Sequence, residues 1–387
     1  MESAEAVLRF LESVGRRSEA EYWLAVFREM PKEQFAVIAV GANVARIALD
    51  AVVLHLRFLA DLGLYPVVVL GLFDTGEADE HAARIARRLG KVDVATEVLT
   101  AFATPSYESA REACRAGRIP VVAFGASEAP TVEARFDLLG GLLSDLGTRK
   151  LIFLHRAGGL RERGALLPLV NLVTDHDRLL ASPELTRREK QMLVQVRKLV
   201  LERLTHKMGA AVTSPLNLLR ELFTGKGAGT LLRRGSVVTR HATLAEIDRE
   251  KMRALLQSSF GRAPSDAFFE RPLGPVYLDE AFRGAAIVCP TPDGAYLSKF
   301  AVEAQAQGEG LGRDLWDALT AEHRTLFWRS RAGNPIAEWY TKLCDGLVRR
   351  GEWTVYFLGV APERIADVVA WTLAQPDDLP TTPPSRP

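Results

Sequence analysis

Two kinds of hydrophobic pattern alternate through the first part of the chain. Short uninterrupted apolar runs, typical of strands buried on both faces, occur at residues 35–40, 66–70, 120–124 and 150–154. Longer stretches with apolar residues at helical spacing lie between and around them, at residues 46–62, 77–90, 107–116 and 134–146. Strands of this kind belong to parallel sheets that helices cover. The pattern therefore predicts an α/β fold, an open parallel sheet sandwiched between helices, over residues 31–235.

The region after residue 235 has a different pattern. Five of the six tryptophans lie there, and the apolar segments are short. The sequence predicts strands at residues 276–278, 284–288, 296–302, 325–328 and 353–357. It predicts helices at residues 246–258, 310–321 and 335–344. These elements indicate a mixed α+β domain over residues 245–372, which a linker at residues 236–244 joins to the first domain.

The two ends of the chain differ from both domains. Residues 1–30 carry apolar positions at helical spacing and predict an N-terminal helical segment. Residues 373–387 are rich in Pro, Thr, Asp and Ser. Such a composition cannot bury enough apolar surface to offset the entropy of ordering, so the sequence predicts a disordered tail.

The overall composition is that of a soluble globular protein. Hydrophobic residues make up 48% and charged residues 25% of the 387 positions, a balance that excludes disorder over most of the chain. The net charge of +1 gives no electrostatic reason to expect nucleic acid or an anionic membrane as a partner. No apolar run approaches the roughly 20 residues that span a bilayer, and the first residues lack the pattern of a signal peptide.

The cysteines and histidines do not suggest a metal site or a disulfide framework. Cys114, Cys289 and Cys344 are widely spaced and odd in number. The seven histidines show no spacing typical of metal ligands. We therefore expect no bound metal and a reducing, cytoplasmic environment.

A glycine-rich segment follows one of the predicted strands. Residues 307–313 read Gln-Gly-Glu-Gly-Leu-Gly-Arg, between the strand at residues 296–302 and the predicted helix at residues 310–321. Free N–H groups at the start of a helix attract a pyrophosphate, and glycines let it approach the backbone. A glycine-rich turn that merely precedes a helix would have the same sequence. The segment alone leaves both interpretations open.

Arg329 and Arg331 stand two residues apart on an extended segment. Side chains at such positions point to the same side of a strand. Paired guanidinium groups suit carboxylates, to which they donate bidentate charge-assisted hydrogen bonds. Two solvated surface arginines are the alternative. The surrounding residues, Phe327-Trp-Arg-Ser-Arg-x-x-Asn-Pro-Ile-x-x-Trp-Tyr340, favour a functional role.

Three motifs together resemble one family: Tyr296-x-x-Lys299-Phe300, the glycine-rich segment and the block from Phe327 to Tyr340. The glycine-rich segment is similar to the Gln/Arg-x-x-Gly-x-Gly/Ala element with which acetyltransferases of the GNAT superfamily hold the pyrophosphate of acetyl-coenzyme A. Over residues 245–360, the motifs resemble the acetyltransferase domain of vertebrate-like N-acetylglutamate synthases, including the bacterial bifunctional synthase/kinases.

The resemblance implies an activity and a set of site residues. Members of this family transfer acetyl from acetyl-coenzyme A to the α-amine of L-glutamate in arginine biosynthesis. The coenzyme would be held at Phe300, Ala301, Val302, Gln307, Gly308, Glu309, Gly310, Leu311, Gly312 and Arg313. The substrate would contact Lys299, Arg329, Arg331, Asn334 and Arg262. Tyr340 would protonate the leaving thiolate, and Tyr296 would lie near the attacking amine. No metal is implied, because a thioester releases a stable thiolate.

The first domain resembles the amino-acid kinase domain of the same synthase/kinases, without its phosphoryl-transfer residues. The family's first strand ends in Lys-x-Gly-Gly, and residues 39–42 here read Ala-Val-Gly-Ala. Its second strand ends in a Gly-Gly-Gly loop, and residues 70–74 here read Leu-Gly-Leu-Phe-Asp. Its Asn-x-Asn-x-Asp region is replaced by residues 132–137. Phosphoryl transfer depends on positioned charge neutralisation. We therefore expect a regulatory and assembly module without kinase activity.

The end of the first domain resembles the arginine-binding segment of arginine-sensitive family members. Glu221 would face a guanidinium, close to Gly227 and Gly229. This implies L-arginine as an allosteric effector, although a helix end followed by a glycine stop explains the glycines equally well. The resemblance also implies a homo-oligomer, a dimer or a tetramer, formed through the kinase-like domain.

Three alternative functions stay open at this stage. The first domain could be an active N-acetylglutamate kinase with an appended acetyltransferase, against which residues 39–42 count. Both domains could be idle in a non-catalytic arginine sensor or assembly subunit, against which the near-complete set of cationic site residues counts. The third alternative is a related acetyltransferase with another acceptor amino acid, because pocket size cannot be inferred from the sequence.

Overall fold

The structure is a computed structural model that describes residues 17–100, 106–148, 150–204, 208–224, 227–303, 310–334 and 336–379. The chain forms two compact units, Met1–Arg234 and Gly235–Pro387. Each unit has its own sheet and its own hydrophobic core. Within the described ranges, no helix has the length and the apolar character needed to cross a membrane.

The first unit is built on an eight-stranded sheet. The strands of this unit, eight in the sheet and two in a hairpin, are β1 (Val37–Val40), β2 (Val67–Leu70), β3 (Thr96–Leu99), β4 (Ile119–Ala123), β5 (Lys150–Leu154), β6 (Arg161–Glu162), β7 (Ala165–Leu166), β8 (Leu169–Asn171), β9 (Gly209–Thr213) and β10 (Thr230–Arg233). The order in the sheet is β3-β4-β2-β1-β5-β9-β10-β8, and β6 and β7 form a separate hairpin. Neighbours from β3 to β9 are parallel, and β10 is antiparallel to β9.

Helices cover both faces of this sheet. They are α1 (Arg17–Glu29), α2 (Ala42–Ile47), α3 (Leu49–Asp61), α4 (Ala78–Gly90), α5 (Ser106–Arg115), α6 (Val132–Leu146), α7 (His176–Ala181), α8 (Arg187–Lys198) and α9 (Leu218–Phe223). Alternate residues of β1 belong to different cores. Ile38 packs with residues of α3, α4 and α9, whereas Val37 and Ala39 pack with residues of α5, α6 and α8. The sheet is therefore buried on both faces, as continuous apolar strands require.

The predicted α/β fold of the first unit is confirmed, and four of its strands overlap the apolar runs of the sequence. The pattern missed the other four strands of the sheet, β3, β8, β9 and β10. β3 is an edge strand with partly exposed side chains, and β9 consists largely of small residues (Gly-Ala-Ala-Val-Thr). Neither strand presents the run of large apolar residues by which the others were recognised.

The second unit contains a seven-stranded sheet. Its strands are β11 (Val238–His241), β12 (Val276–Asp279), β13 (Gly284–Thr291), β14 (Gly294–Val302), β15 (Leu326–Arg331), β16 (Gly346–Arg350) and β17 (Trp353–Leu358). The order is β11-β12-β13-β14-β15-β17-β16. β14 and β15 are parallel, and the other neighbours are antiparallel.

Helices cover both faces of the second sheet as well. They are α10 (Arg249–Phe260), α11 (Asp266–Phe269), α12 (Leu311–Glu322), α13 (Ala337–Leu343) and α14 (Ile365–Leu373). Residues of α12 and α13 share a core with Trp328 of β15, and this side of the sheet is called the α12 face. Residues of α10, α11 and α14 pack on the opposite side, called the α14 face.

Two segments differ from the sequence-based prediction. The predicted linker at residues 236–244 contains β11, an edge strand that pairs with β12. Its sequence, Val-Thr-Arg-His, has too little apolar character to be recognised as a strand. The tail predicted to be disordered from residue 373 contacts the rest of the second unit as far as Asp378, which is only 7% exposed. Ion pairs and hydrogen bonds to residues distant in sequence hold this segment. The composition of the segment does not predict such contacts.

Candidate active site in the second unit

The parallel pair β14 and β15 opens the sheet of the second unit. Their ladder covers two residue pairs, the last between Tyr296 and Phe327. β14 continues to Val302 and β15 continues to Arg331. Backbone groups beyond a ladder need other partners. The continuing ends of the two strands therefore form the walls of an opening in the sheet.

A β-bulge places Tyr296 and Lys299 on the same face of β14. Ile287 of β13 pairs with Lys299, and the next residue of β13 pairs with Leu297, so Ser298 is the extra residue of the bulge. Strict alternation would put positions 296 and 299 on opposite faces of the sheet. With the bulge, both side chains reach the α14 face.

A cavity of about 360 Å³ lies at the opening between β14 and β15. Every residue to which the sequence analysis assigned catalysis or substrate binding lines this cavity: Tyr296, Lys299, Arg329, Arg331, Asn334, Tyr340 and Arg262. Phe300 and Trp328 also line it, and both belong to the core of the α12 face. The cavity therefore connects the two faces of the sheet, and a molecule on one face can meet a molecule on the other.

Lys299 is part of a cluster of cations around one carboxylate. Its Nζ donates to Oδ2 of Asp378 at 2.7 Å and lies 4.9 Å from the ring centre of Phe268. Nη1 of Arg271 donates to both carboxylate oxygens of Asp378, at 2.9 and 3.0 Å. Burial lowers the pKa of Lys299, and the Asp378 carboxylate opposes that shift. The cluster is built to hold a carboxylate between an ammonium and a guanidinium group.

Arg329 closes the C-terminal end of α14. Its Nη1 donates to the carbonyl oxygens of Thr372 and Leu373, at 3.2 and 3.1 Å, and its Nη2 donates to that of Pro376 at 2.7 Å. The last carbonyl groups of a helix have no partner within the helix and carry partial negative charge. The guanidinium group of Arg329 supplies that partner, which gives it a structural task besides the predicted contact with substrate.

Arg331 has different partners, although both arginines lie over the ring of Trp353. The distances from the guanidinium carbon to the ring centre are 4.1 Å for Arg329 and 4.8 Å for Arg331. Nη2 of Arg331 donates to Asp377 at 2.6 Å, and its Nη1 pairs with the carboxylate of Glu352. Arg331 therefore binds carboxylates, and both of these are partly exposed to solvent.

The two candidate catalytic tyrosines are buried on opposite faces. Tyr340 of α13 packs against the rings of Trp328 and Tyr356, and burial raises its pKa above the usual range. Tyr296 packs against the ring of Trp371 in α14, and burial raises its pKa to about 12. Both phenols are therefore protonated at neutral pH, so each can donate a proton or a hydrogen bond.

Asn334 and Arg262 line the cavity in different ways. Nδ2 of Asn334 donates to Oγ of Ser330 at 2.8 Å, and its Oδ1 accepts from the backbone N–H of Ile336 at 3.2 Å. These bonds shape the turn between β15 and α13, so Asn334 has a structural task there. Arg262 follows α10 and is exposed.

The predicted coenzyme segment is only partly described. Residues 307–309 (Gln-Gly-Glu) lie outside the described residues. Gly310 precedes α12 with a φ of 85°, a left-handed conformation that favours glycine. Leu311 is buried in the core of the α12 face, and Arg313 pairs with Asp317 one turn further along the helix. The side chains of Leu311 and Arg313 are thus engaged, and any ligand at this helix start would meet backbone groups.

The first turn of α12 and two buried polar atoms also belong to the surroundings of the opening. A Cβ atom at Gly312 would lie 3.8 Å from the side chains of Phe300 and Val302, so the first turn of α12 faces β14. Two side-chain atoms of residues that line the cavity, Nε1 of Trp328 and Oγ of Ser298, are buried. Neither atom has a hydrogen-bond partner in the part of the chain that is described. Unpaired buried polar atoms are rare and point to a missing partner. Ala301, which is also one of the predicted coenzyme-binding residues of β14, is fully buried.

Four residues contribute to this site without belonging to any motif of the sequence: Arg271, Trp353, Asp377 and Asp378. Arg271 follows α11 and belongs to no recognisable motif. Trp353 pairs with Arg331 in the ladder between β15 and β17, so the strand register would have revealed it. Asp377 and Asp378 belong to the tail, whose composition predicts disorder and therefore no site residue.

The first unit contains a second cavity, at the carboxyl ends of β1, β2 and β5. Its volume is about 170 Å³, and residues 39–44, 71–74 and 153–156 contribute to its lining. Among the residues that the structure describes, the basic side chains that line it are those of Arg156, Arg188 and His155, and none comes from the end of β1. Leu72 and Phe73, in the segment that the resemblance matches to the family's glycine-rich loop, carry large apolar side chains, and Phe73 packs on the ring of Phe136, 5.5 Å away.

Glu221 has a local partner in the structure. Its Oε2 accepts from the backbone N–H of Ala228 at 2.7 Å. A Cβ atom at Gly227, where φ is 66°, would lie 2.7 Å from the same oxygen, and a Cβ atom at Gly229 would lie 2.0 Å from the carbonyl oxygen of Val212. The left-handed conformation of Gly227 and the close backbone approach at Gly229 account for both glycines without an arginine ligand.

No group of three or more His, Cys, Asp or Glu side chains that could hold a metal ion occurs within the described ranges.

Comparisons with known proteins agree with this architecture. A family model described as the N-acetyltransferase domain of N-acetylglutamate synthase matches residues 239–372. The acetylglutamate kinase of Xanthomonas campestris is 32% identical over 88% of this chain and 94% of its own length. Human mitochondrial N-acetylglutamate synthase is 30% identical over 92% of this chain and 75% of its own length.

The fold of both units also occurs in a solved structure. The N-acetylglutamate synthase of Neisseria gonorrhoeae, complexed with coenzyme A and N-acetyl-glutamate, superimposes with a TM-score of 0.53 over 88% of this chain and 98% of that protein. The sequence identity is 16%, so this similarity concerns the fold alone. The relatives of 30% identity and more show that the chain belongs to the family of vertebrate-like N-acetylglutamate synthases and N-acetylglutamate synthase/kinases.

Proposed function

We propose that this chain is an N-acetylglutamate synthase, which transfers the acetyl group of acetyl-coenzyme A to the α-amine of L-glutamate. The cavity between β14 and β15 carries the proposal, because cations that suit two carboxylates lie on one face and a protonated Tyr340 lies on the other. The human relative with 30% identity bears this name, which supports the choice of acceptor.

On the α14 face, Lys299 and Arg331 would bind the two carboxylates of glutamate. Both side chains already contact carboxylates, those of Asp378 and Asp377. Two fixed cations define the length and the charge of the acceptor, which selects a dicarboxylic amino acid over a neutral one. Arg262 and Asn334 would add contacts at the rim of the cavity.

The acceptor must lose a proton as its amine attacks. Tyr296 lies on the same face as Lys299 and would be near the amine. Since burial raises the pKa of Tyr296 to about 12, its phenol is neutral at physiological pH and cannot act as the final proton acceptor there. Its role would be to orient the amine, or to relay a proton to water.

On the α12 face, the chain would hold the thioester and receive the thiolate. Backbone N–H groups at the first turn of α12 would bind the pyrophosphate of acetyl-coenzyme A, together with residues 307–309. Backbone N–H groups of residues 300–302 would meet the negative charge that develops on the acetyl oxygen. Tyr340 would donate its proton to the sulfur atom as the carbon–sulfur bond breaks, and its raised pKa keeps that proton in place until then.

The first unit would act in regulation and assembly. The absence of a cation at the end of β1 and the apolar residues that follow β2 argue against kinase activity, although the bacterial relative with 32% identity is named a kinase. L-arginine, bound near Glu221, is the proposed effector, and a homo-oligomer is the proposed assembly. The cytoplasm is the proposed compartment, because Cys114, Cys289 and Cys344 are free thiols.

The decisive experiment is thiol release from acetyl-coenzyme A by the purified chain, with and without L-glutamate. Arg331→Ala is the test variant, and Arg350→Ala, an exposed arginine of β16, is the matched control. We expect glutamate-dependent release that the first variant loses and the second keeps. Parallel samples contain L-arginine, or ATP with N-acetylglutamate.

Each alternative function has its own result in this experiment. ATP-dependent phosphorylation of N-acetylglutamate would show that the first unit is an active kinase. Thiol release that depends on another amino acid, in a panel that includes aspartate and ornithine, would identify that amino acid as the acceptor instead of glutamate. Tight binding of acetyl-coenzyme A without release for any acceptor would favour the sensor or assembly subunit.

A further inference from the structure

We propose that Arg271 and Lys299 form the subsite for one carboxylate of the acceptor, and that Asp378 of the chain's own C-terminal segment fills this subsite as an internal competitor. The proposal rests on the proposed function and concerns the regulation of the same site. The C-terminal segment is defined here as residues 375–379.

The segment is held where an acidic substrate would be held. Asp378 lies between Lys299 and Arg271, and the adjacent Asp377 pairs with Arg331. Two neighbouring carboxylates thus occupy two cationic positions, which is the arrangement that a dicarboxylic amino acid requires. The C-terminal segment and the acceptor compete for the same groups.

The charges of the subsite require one carboxylate at all times. The side chain of Lys299 is 10% exposed, that of Arg271 is 23% exposed and that of Asp378 is 6% exposed. A buried ammonium group without a counterion is strongly destabilising. An acceptor carboxylate that displaces Asp378 restores the pair, so the exchange leaves no buried cation unpaired.

The remaining contacts of the segment are suited to reversible docking. Outside the ion pairs, the carbonyl oxygen of Asp378 accepts from the backbone N–H of Ser265 at 3.1 Å. Oε1 of Gln375 accepts from Arg271 at 3.3 Å, and the carbonyl oxygen of Pro376 accepts from Nη2 of Arg329 at 2.7 Å. These are single hydrogen bonds, each of which water can replace once the segment leaves. The segment lies at the end of α14, so it can leave the cavity while the helix stays in place.

The test compares Asp378→Asn with Asp367→Asn, the same substitution at an exposed position of α14. A segment docked about nine-tenths of the time raises the apparent KM about tenfold. We expect Asp378→Asn to lower the KM for L-glutamate about tenfold with little change in the KM for acetyl-coenzyme A. Asp367→Asn should behave as the wild type. A higher KM for glutamate in Asp378→Asn would overturn the proposal, because Asp378 would then assist binding.

Binding of glutarate separates this inference from the proposed function. Glutarate has both carboxylates of the acceptor but no amine, so calorimetric titration reports the subsite without chemistry. Tighter binding to Asp378→Asn than to the wild type, and weaker binding to Arg271→Met, supports the inference even if glutamate is not acetylated. Equal affinities in all three proteins, with glutamate acetylated, would refute the inference and leave the proposed function intact.

A measurement on the unaltered chain covers the case in which Asp378→Asn does not fold. Amide hydrogen exchange of peptides that contain residues 375–379 is compared with and without saturating L-glutamate. A displaced segment exchanges faster when glutamate is bound, while β15 exchanges more slowly. Slower exchange of the segment with glutamate would contradict the proposal, because the segment would then close over the acceptor as a lid.

Discussion

Replacement of Arg329 and of Arg331 by Met distinguishes two side chains that the sequence presents as equivalent. Both lie on β15 and over the ring of Trp353, so each variant is the control for the other. Arg329 donates three hydrogen bonds to carbonyl oxygens at and beyond the end of α14. Arg331 instead forms ion pairs with partly exposed carboxylates. The first variant should therefore lose stability, and the second should lose substrate binding.

The contacts give the expected magnitudes. A hydrogen bond to a charged group contributes about 1.5–3 kcal/mol, and some of this returns when water solvates the carbonyl oxygens. We expect Arg329→Met to lower the free energy of unfolding of the second unit by about 3 kcal/mol. Exposed ion pairs contribute about 0–1 kcal/mol each, so Arg331→Met should cost about 1 kcal/mol or less.

Urea unfolding followed by tryptophan fluorescence measures this difference. Five of the six tryptophans belong to the second unit, so the signal reports that unit. With a slope of about 2 kcal/mol per molar urea, the midpoint should fall by about 1.5 M for Arg329→Met and about 0.5 M for Arg331→Met. Thiol-release kinetics should show a KM for glutamate about 100-fold higher in Arg331→Met.

Two results, one from unfolding and one from kinetics, would refute this reasoning. If the two variants unfold at the same urea concentration, the carbonyl contacts of Arg329 do not hold α14 in solution. If Arg331→Met also keeps the wild-type KM for glutamate, its ion pairs do not mark a substrate subsite. The arginines would then be the two solvated side chains that the sequence also allowed.

Three further predictions concern Tyr340, Asp279 and Cys114. Tyr340→Phe should lower kcat about 100-fold or more, with both KM values nearly unchanged, because general acid catalysis contributes about 10²–10⁴-fold. Asp279→Asn should lower the free energy of unfolding by about 2–3 kcal/mol, because the buried carboxylate accepts hydrogen bonds from Arg283 and from backbone N–H groups. Cys114 should resist iodoacetamide in the native protein while Cys289 is alkylated, because burial raises the pKa of the Cys114 thiol to about 12.

Each of these predictions has a result that would contradict it. A wild-type kcat in Tyr340→Phe would leave protonation of the thiolate to water or to another group. Burial acts to raise the pKa of Asp279, but the hydrogen bonds from Arg283 lower that pKa overall. The ionised carboxylate therefore stabilises the fold fully at a pH above the ordinary carboxyl pKa, and this stabilisation is lost as the pH falls through the lowered pKa. An Asp279→Asn variant as stable as the wild type at neutral pH, or alkylation of native Cys114, would mean that the packing described at these positions is wrong.

The sequence by itself determined the architecture and most of the site. Strands covered on both faces must be apolar along their whole length, so β1, β2, β4 and β5 were visible as continuous runs. Six of the seven predicted catalytic and substrate-binding residues that line the cavity between β14 and β15, all except Arg262, lie within two motifs, and a motif is a local property of the chain. Their identity could therefore be recognised before any contact was known.

Only the tertiary structure decided which way these side chains face and what they bind. The bulge at Ser298, which brings Lys299 to the face of Tyr296, depends on the register against β13. Lys299 and Asp378 are 79 positions apart, and Arg329 and Thr372 are 43 positions apart. Charge pairs at such separations leave no trace in local periodicity or composition, because they form only when the fold brings the two segments together. The tail therefore seemed featureless in sequence, although its aspartates meet the cations of the candidate site.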